Sequence, residues 1–383
     1  MVEMENQKIC GMSRNRSTWM RIELLSSLNN VVDYLEGDIT GGSIQMQNGK
    51  DNNLQRRSGS VDLILRKDLA EDYYKVDMKY RVRVIFIIRD NITEIESEYN
   101  LGIYILNSPK KSVNRNSITV TLSDLMCQYN GELGGSLVRD TVIQAGSPFR
   151  KLLIDIATSK DLMNLDMSMV NIQENDFELP YDIEKGGENN IADLLKDLEE
   201  MFMDYDLYFN EDGVLVYEKM SNHIQDQIIQ EYDNSDVIIN YDVDEDFKGF
   251  YNCIHIIGMT VEESDDVDEP YVIEGWAKLE TGESPLCVEN FGREVWKTIA
   301  DDKVQTLEQA DSRALYELDM ACHYNEKITL TMLPDPRLVP NRVIKVNYED
   351  DNISINGKYL IDSISLELRS TGTMTVSAHK IYM

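Results

Sequence analysis

Long apolar runs, paired cysteines and clustered histidines are all missing from this sequence. No stretch approaches the roughly 18 consecutive apolar residues that a spanning helix needs, so membrane insertion is not expected. The opening residues, MVEMENQKICGMSRNRS, carry no apolar core of a secretory signal, and residues 1–15 are expected to form a flexible arm. Five cysteines, Cys10, Cys127, Cys253, Cys287 and Cys322, lie far apart with no CxxC spacing, which argues against a disulfide framework or a zinc knuckle. The four histidines, His223, His255, His323 and His379, are equally scattered, and no HExxH pair occurs. GxSxG, P-loop and dinucleotide fingerprints are absent too. No catalytic, cofactor-binding or metal-ligating residue is nominated, and no cofactor is expected.

Cations are scarce. The chain has 37 Lys and Arg against 69 Asp and Glu, a formal charge of −32. Neutralising a nucleic-acid backbone requires cationic side chains, so specific nucleic-acid binding is not expected. The acids concentrate between Glu231 and Glu269, where 13 carboxylates face one cation, Lys248. Two readings stand: an ordinary solvated face, or an acidic wall that nucleic acid passes without sticking. Asp242-Val-Asp244-Glu-Asp246 begins like a calcium loop, but Phe247 occupies the position where that loop turns on glycine. Glu262 to Glu269 reads as a solvated loop, because clustered like charges disfavour compact packing. Cys322 and His323 are neighbours on a predicted helix and point about 100° apart, so they read as a core thiol beside a surface imidazole. The glycine clusters Gly131 to Gly135 and Gly186-Gly187 read as turns.

What is present is a globular composition, 42% hydrophobic and 28% charged over 383 residues, which fits two to three domains and excludes disorder. Alternation of apolar and polar residues predicts strands at Trp19 to Leu25, Val61 to Leu65 and Tyr80 to Ile88, with turns at Asn29-Asn30 and Gly41-Gly42. Leu101 to Asn107 and Ser117 to Leu122 read as a hairpin around the polar loop SPKKSVNRN. Near residue 125 the pattern changes. Pro148 stands at a favourable first helical position before FRKLLIDIA, and a second helix is expected from Asn190 to Tyr205. Asp212-Gly213 then separates two aliphatic and aromatic runs, a strong hairpin signal. Strands return from about residue 235, interrupted by a helix from Leu307 to Tyr324 with Thr306 and Gln309 at capping-box spacing.

A weak internal repeat carries the most information. Gly102-Ile-Tyr104-Ile-Leu-Asn-Ser108 followed by Ile118 to Leu122 matches Gly357-Lys-Tyr359-Leu-Ile-Asp-Ser363 followed by Met374 to Ala378. A chance match of two hairpins is the competing reading. The expected fold is α+β and mainly β, with two duplicated barrel-like modules flanking a mixed helical and β middle. The boundaries are 16–125 for the first module, 126–235 for the middle, and 236–383 for the second module with one inserted helix.

In order and spacing, the segments RRSGSVDLILR, DLYFNEDGVLVYEK, FYNCIHIIG, LPDPRLVPNRVIKV and GKYLIDSISLELRSTGTMTVSAHK resemble the baseplate hub proteins of contractile phage tails and contractile bacteriocins, relatives of the late-control gene D proteins. The resemblance runs from about Trp19 to the end. It implies tail-tube-like barrels and a homotrimeric ring that adapts a sixfold tail tube to a threefold central spike. The implied partners are the tail tube or a tube-initiator protein, the central spike, the baseplate wedge proteins and the tape measure protein. The implied location is the tail baseplate of a virion or bacteriocin particle, assembled in the host cytoplasm, and the implied role is structural with no enzymatic activity. Two alternatives stay open: a distal tail or tail-associated host-binding protein of a non-contractile phage, and a tail-tip cell-wall hydrolase.

Overall fold

The computed structural model describes residues 2–36, 39–47, 54–64, 81–112, 117–202, 205–219, 227–234, 237–245, 250–261, 270–322, 326–349 and 354–382. The chain is mainly β with antiparallel sheets. The first β segment runs β1 (Arg16–Leu25), β2 (Val31–Glu36), β3 (Ile39–Gln47), β4 (Arg57–Ile64), β5 (Arg81–Asp90), β6 (Glu96–Ser112) and β7 (Ser117–Asp124). Its hydrogen-bonded order is β3-β4-β7-β6-β5-β1-β2. The Val- and Ile-rich run expected at the centre of a sheet is β5, where Val82 and Val84 to Ile88 are all buried.

The second β segment consists of β13 (Gln230–Asp233), β14 (Ile238–Glu245), β18 (Glu326–Met332), β19 (Val343–Glu349), β20 (Ser354–Glu367) and β21 (Met374–Ile381). Its order is β14-β18-β21-β20-β19-β13. The one difference in pairing sense lies at the end: β13 runs parallel to β19, whereas β1 runs antiparallel to β5. The halves of the sequence repeat take corresponding places. Tyr104 on β6 faces Val82 of β5 and Asp124 of β7, and Tyr359 on β20 faces Ile344 of β19 and Lys380 of β21. Both tyrosines are fully buried. The two segments form one continuous sheet because Ser363 to Glu367 of β20 pair antiparallel with Gln47 to Ser43 of β3. One hydrophobic cluster spans the joint, with Ile44 opposite Leu366.

Between the segments lies a mixed region, which includes the short strands β8 (Thr141–Ile143), β9 (Val170–Ile172) and β10 (Ile183–Lys185). Helices α2 (Phe149–Thr158) and α3 (Ile191–Glu200) pack with the hairpin β11 (Tyr205–Phe209) and β12 (Leu215–Lys219) around a second core. Pro148 is the N-cap residue of α2, one position earlier than expected. Asn190 and Asp193 form a reciprocal capping box that starts α3. Gly213, at φ +72°, turns the β11–β12 hairpin as Asp212-Gly213 predicted. Its tip docks on the first segment, where Asn29 and Asn100 donate to the Asp212 and Glu211 carbonyls.

Several features differ from the sequence expectations. Residues 2–12, expected as an arm, form helix α1. Its turns lack a strong amphipathic pattern, so tertiary contacts hold it: Tyr99 donates to the Gln7 carbonyl at 2.6 Å, Cys10 is buried, and Arg16 donates to the Cys10 and Gly11 carbonyls at the helix end. Gly41-Gly42 is not a break; it lies within β3 at a register shift, where a Cβ on Gly42 would stand 2.1 Å from the Ser60 carbonyl. Ser108 to Ser112, expected in a loop, extend β6 past a register shift next to Pro109; residues 113–116 lie outside the described residues.

FYNCIHIIG, read as opening the second module, contributes instead to a separate sheet. β15 (Cys253–Val261) pairs with β16 (Tyr271–Lys278) and β17 (Trp296–Ala300), and α5 (Leu307–Cys322) covers one face. A four-residue helix, α4 (Val288–Phe291), lies between β16 and β17. The expected box at α5 is present, with Gln309 donating its backbone N–H to Thr306 and accepting from the Thr306 N–H. Gly275 permits the close approach, because a Cβ there would meet the Ala310 backbone at 2.3 Å.

Candidate assembly interface

Two strand edges stand out among the described residues. β20 pairs through its first half with β19, and its later residues 363–367 take β3 on that same edge. β6 pairs through its first half with β5, up to Ile105 opposite Arg81, and with β7 through Ser112. On the β5 side the pairing of β6 stops at Ile105 opposite Arg81, and residues 65–80, which precede β5, lie outside the described residues. β14 ends the sheet: β18 occupies one edge, and the other has no partner among the described residues. Unpaired strand edges present rows of free N–H and C=O groups and template further pairing.

The two edges differ in charge. β14 carries Asp242, Asp244 and Glu245, and the distal part of β6 carries Lys110 and Lys111. The Asp242 to Glu245 stretch, which Phe247 already excluded as a calcium loop, lies on an extended strand, whose alternation aims successive side chains to opposite faces. Asp246 and the Glu262 to Glu269 cluster lie outside the described residues, as does His323. Among the described residues no group of three His, Cys, Asp or Glu side chains converges as metal ligands. Cys10, Cys127, Cys253 and Cys287 are free and buried, and burial pushes the Cys127 thiol up to about 12. No helix of the described chain is long and apolar enough to cross a membrane.

A polar cleft of about 370 Å³ lies where the first β segment, the β11–β12 hairpin and the 339–342 loop meet. Arg56 lies over the Tyr208 ring at 3.4 Å and pairs with Asp206. Arg57 donates to the Phe209 carbonyl at 2.9 Å and lies 3.4 Å from Glu211, while Tyr208 donates to Glu218 at 2.8 Å. Burial lowers the Arg56 guanidinium to about 10. Each carboxylate lining this cleft is engaged by a neighbour, so the arrangement ties the β11–β12 hairpin to the start of β4. A second, cationic link joins the middle region to the separate sheet: Lys303 bonds Asp197 and Glu200 at 3.1 and 2.7 Å.

Sequence reasoning nominated no interface residue. The repeat around Tyr104 and Tyr359 held the signal, because it marks which stretch of β6 corresponds to the paired stretch of β20.

The architecture is that of phage tail proteins and their relatives in secretion machines. No protein-family model matches the chain, and no curated protein matches it by sequence. Solved structures do. A tail protein of Neisseria meningitidis superposes with a TM-score of 0.61 at 12% identity, covering 95% of this chain and 96% of that one. The 43 kDa tail protein of a Shewanella oneidensis prophage gives 0.59 at 13% identity, covering 94% and 98%. A type VI secretion component of Escherichia coli, described as structurally similar to bacteriophage T4 tail proteins, gives 0.50 at 8% identity over 90% and 74%. The resemblance to hub-like tail proteins read from the sequence is therefore borne out at the level of fold.

Proposed function

We propose that this chain is a structural, non-enzymatic hub of a contractile tail, built from two copies of one β module and assembled as a homotrimeric ring. The observation that carries the reading is the correspondence of strand order, β3-β4-β7-β6-β5-β1 beside β14-β18-β21-β20-β19-β13, together with the edges left open among the described residues. Within the chain, the distal part of β20 pairs with β3. If the modules are copies, the same joint between chains brings the distal part of β6 onto β14 of a second copy. The lysines of one edge and the carboxylates of the other favour that pairing electrostatically. A head-to-tail contact of this kind closes into a ring or runs on as a helix. Three chains of two modules give six similar modules, the match between a sixfold tube and a threefold spike.

The proposed division is a first module at 16–125, a middle region, and a second module completed by the C-terminal strands. The pairing of β13 with β19 supports starting the second module near residue 230, and the sheet of β15 to β17 with α5 is treated as a lobe inserted within it. The proposed neighbours are the tail tube or its initiator on one side of the ring, the central spike on the other, wedge proteins outside and the tape measure protein in the lumen. The proposed location is the tail baseplate. Light scattering on the purified chain tests the reading: it predicts a mass three times the 44.1 kDa of one chain, alone or on adding the spike. A monomer that stays monomeric with the spike rejects the ring and turns attention to host binding or cell-wall hydrolysis.

A further inference from the structure

Among the described residues, the inserted lobe has one face covered by α5 and one open. On β15, β16 and β17 the side chains of Ile254, Ile256 and Ile273 point to α5 and are buried. The opposite face carries His255, Trp276 and Trp296. The His255 and Trp276 rings stack at 3.6 Å and 8°, and the Trp276 and Trp296 rings meet edge to face at 5.7 Å and 84°. Both indoles remain open to solvent, at 53% and 43% exposure, and Val272 extends the patch along β16. Two exposed tryptophans held by mutual packing on a sheet are costly to leave in water and are typical of binding hot spots.

Carboxylates rim the rings. Glu274 lies 3.3 Å from His255 Nε2, Glu294 accepts from Trp296 Nε1 at 3.0 Å, and Lys278 is held between Glu294 and Glu280 at 2.7 and 3.1 Å. Three acids thus surround the aromatic pair with one lysine between two of them. Indole faces attract guanidinium and ammonium groups, and rim carboxylates complete the pairing.

We propose that this face docks an extended arginine- or lysine-bearing segment of a neighbouring protein. Only the identity of that neighbour as a tail component rests on the hub reading; the site itself belongs to the single chain. The aromatic face supplies contact area and cation–π attraction, and Glu274 and Glu294 supply charge complementarity and orientation. The lobe is a natural carrier, since it stands apart from the continuous sheet and α5 lies on the other face.

The test is fluorescence anisotropy of a labelled nonapeptide alternating arginine and serine, titrated with the full chain. Trp276→Leu with Trp296→Leu keeps the charge of −32 and is expected to weaken binding roughly tenfold, the size of a lost cation–π and contact term of about 1.4 kcal/mol. Glu274→Gln with Glu294→Gln is expected to weaken it and flatten its salt dependence, while circular dichroism stays unchanged because all four side chains are partly exposed. Equal affinity of the tryptophan variant and the native chain would overturn the proposal, as it would mean general attraction to an acidic protein. Quenching of Trp276 by a chitin oligosaccharide without peptide binding would overturn it in favour of a saccharide site. Light scattering on the same samples reads the ring separately, so either idea can fail alone.

Discussion

β3 and β14 hold the same place in their strand orders, yet among the described residues one is hydrogen-bonded on both edges and the other on one. β3, ITGGSIQMQ, has no charged residue, and its Gly42 lets the backbone of β4 approach closely before β20 closes the outer edge. β14, IINYDVDE, carries three carboxylates within eight residues. The edge satisfied inside the chain is neutral; the edge with no partner among the described residues is charged. Charge on an exposed strand discourages pairing with arbitrary strands while still admitting one of opposite sign. The same comparison locates the insertion: β3 and β4 follow each other closely, whereas the lobe of β15 to β17 and α5 separates β14 from β18. Hairpin tips accept such insertions because little of the core crosses them.

The largest effect is expected at the external joint. Lys110→Glu with Lys111→Glu puts acids on both free edges, and self-association measured by analytical ultracentrifugation should weaken at least roughly tenfold, since like charges across an interface cost several kcal/mol. Adding Asp242→Lys and Asp244→Lys restores opposite signs and should restore association; failure of the rescue would break the comparison. At the internal joint, Leu366→Ala removes a fully buried side chain opposite Ile44. It should cost about 2–5 kcal/mol in urea denaturation, with both β segments unfolding in one transition because they share a core.

The ends of the paired strands sharpen the contrast further. β7 ends on Asp124, which is buried and accepts from the Met126 N–H, where β21 places Lys380 bonded to Glu326. Burial pushes the Asp124 carboxyl up to about 6. The folded chain therefore holds more protons than the unfolded one between about pH 4 and 6, and stability falls as pH rises through that window. Asp124→Asn keeps the acceptor and should stabilise the chain at pH 7.5 by on the order of 2 kcal/mol, with a smaller gain at pH 5. The smallest effect belongs to the lobe, where Thr306→Ala removes one half of the α5 capping box and should cost about 1 kcal/mol, seen in hydrogen exchange of α5 and not of β20.

Local rules made much of this fold legible. The Val- and Ile-rich run at β5, the Asp212-Gly213 hairpin and the Thr306–Gln309 box each report a short-range preference, and each element formed where its residues indicated. Helix α1 was hidden because its stability comes from Tyr99, Arg16 and a buried Cys10, contacts with residues that are distant or only make sense in three dimensions. The separate sheet was hidden for a different reason: a buried strand such as β15 looks alike in any sheet, and which partner it takes is decided by packing on α5. Of the candidate interface, the repeated tyrosines were visible and the edges were not. An edge is defined by the strand that is missing from it, and a linear sequence does not record which neighbour each strand lacks.

A strand-resolving electron-microscopy reconstruction of the assembled chain tests the central claim most directly. The account predicts a threefold ring of six similar lobes in which residues 106–112 of one copy pair with β14 of the next. Copies that meet through other surfaces, leaving both edges unpaired, would contradict it.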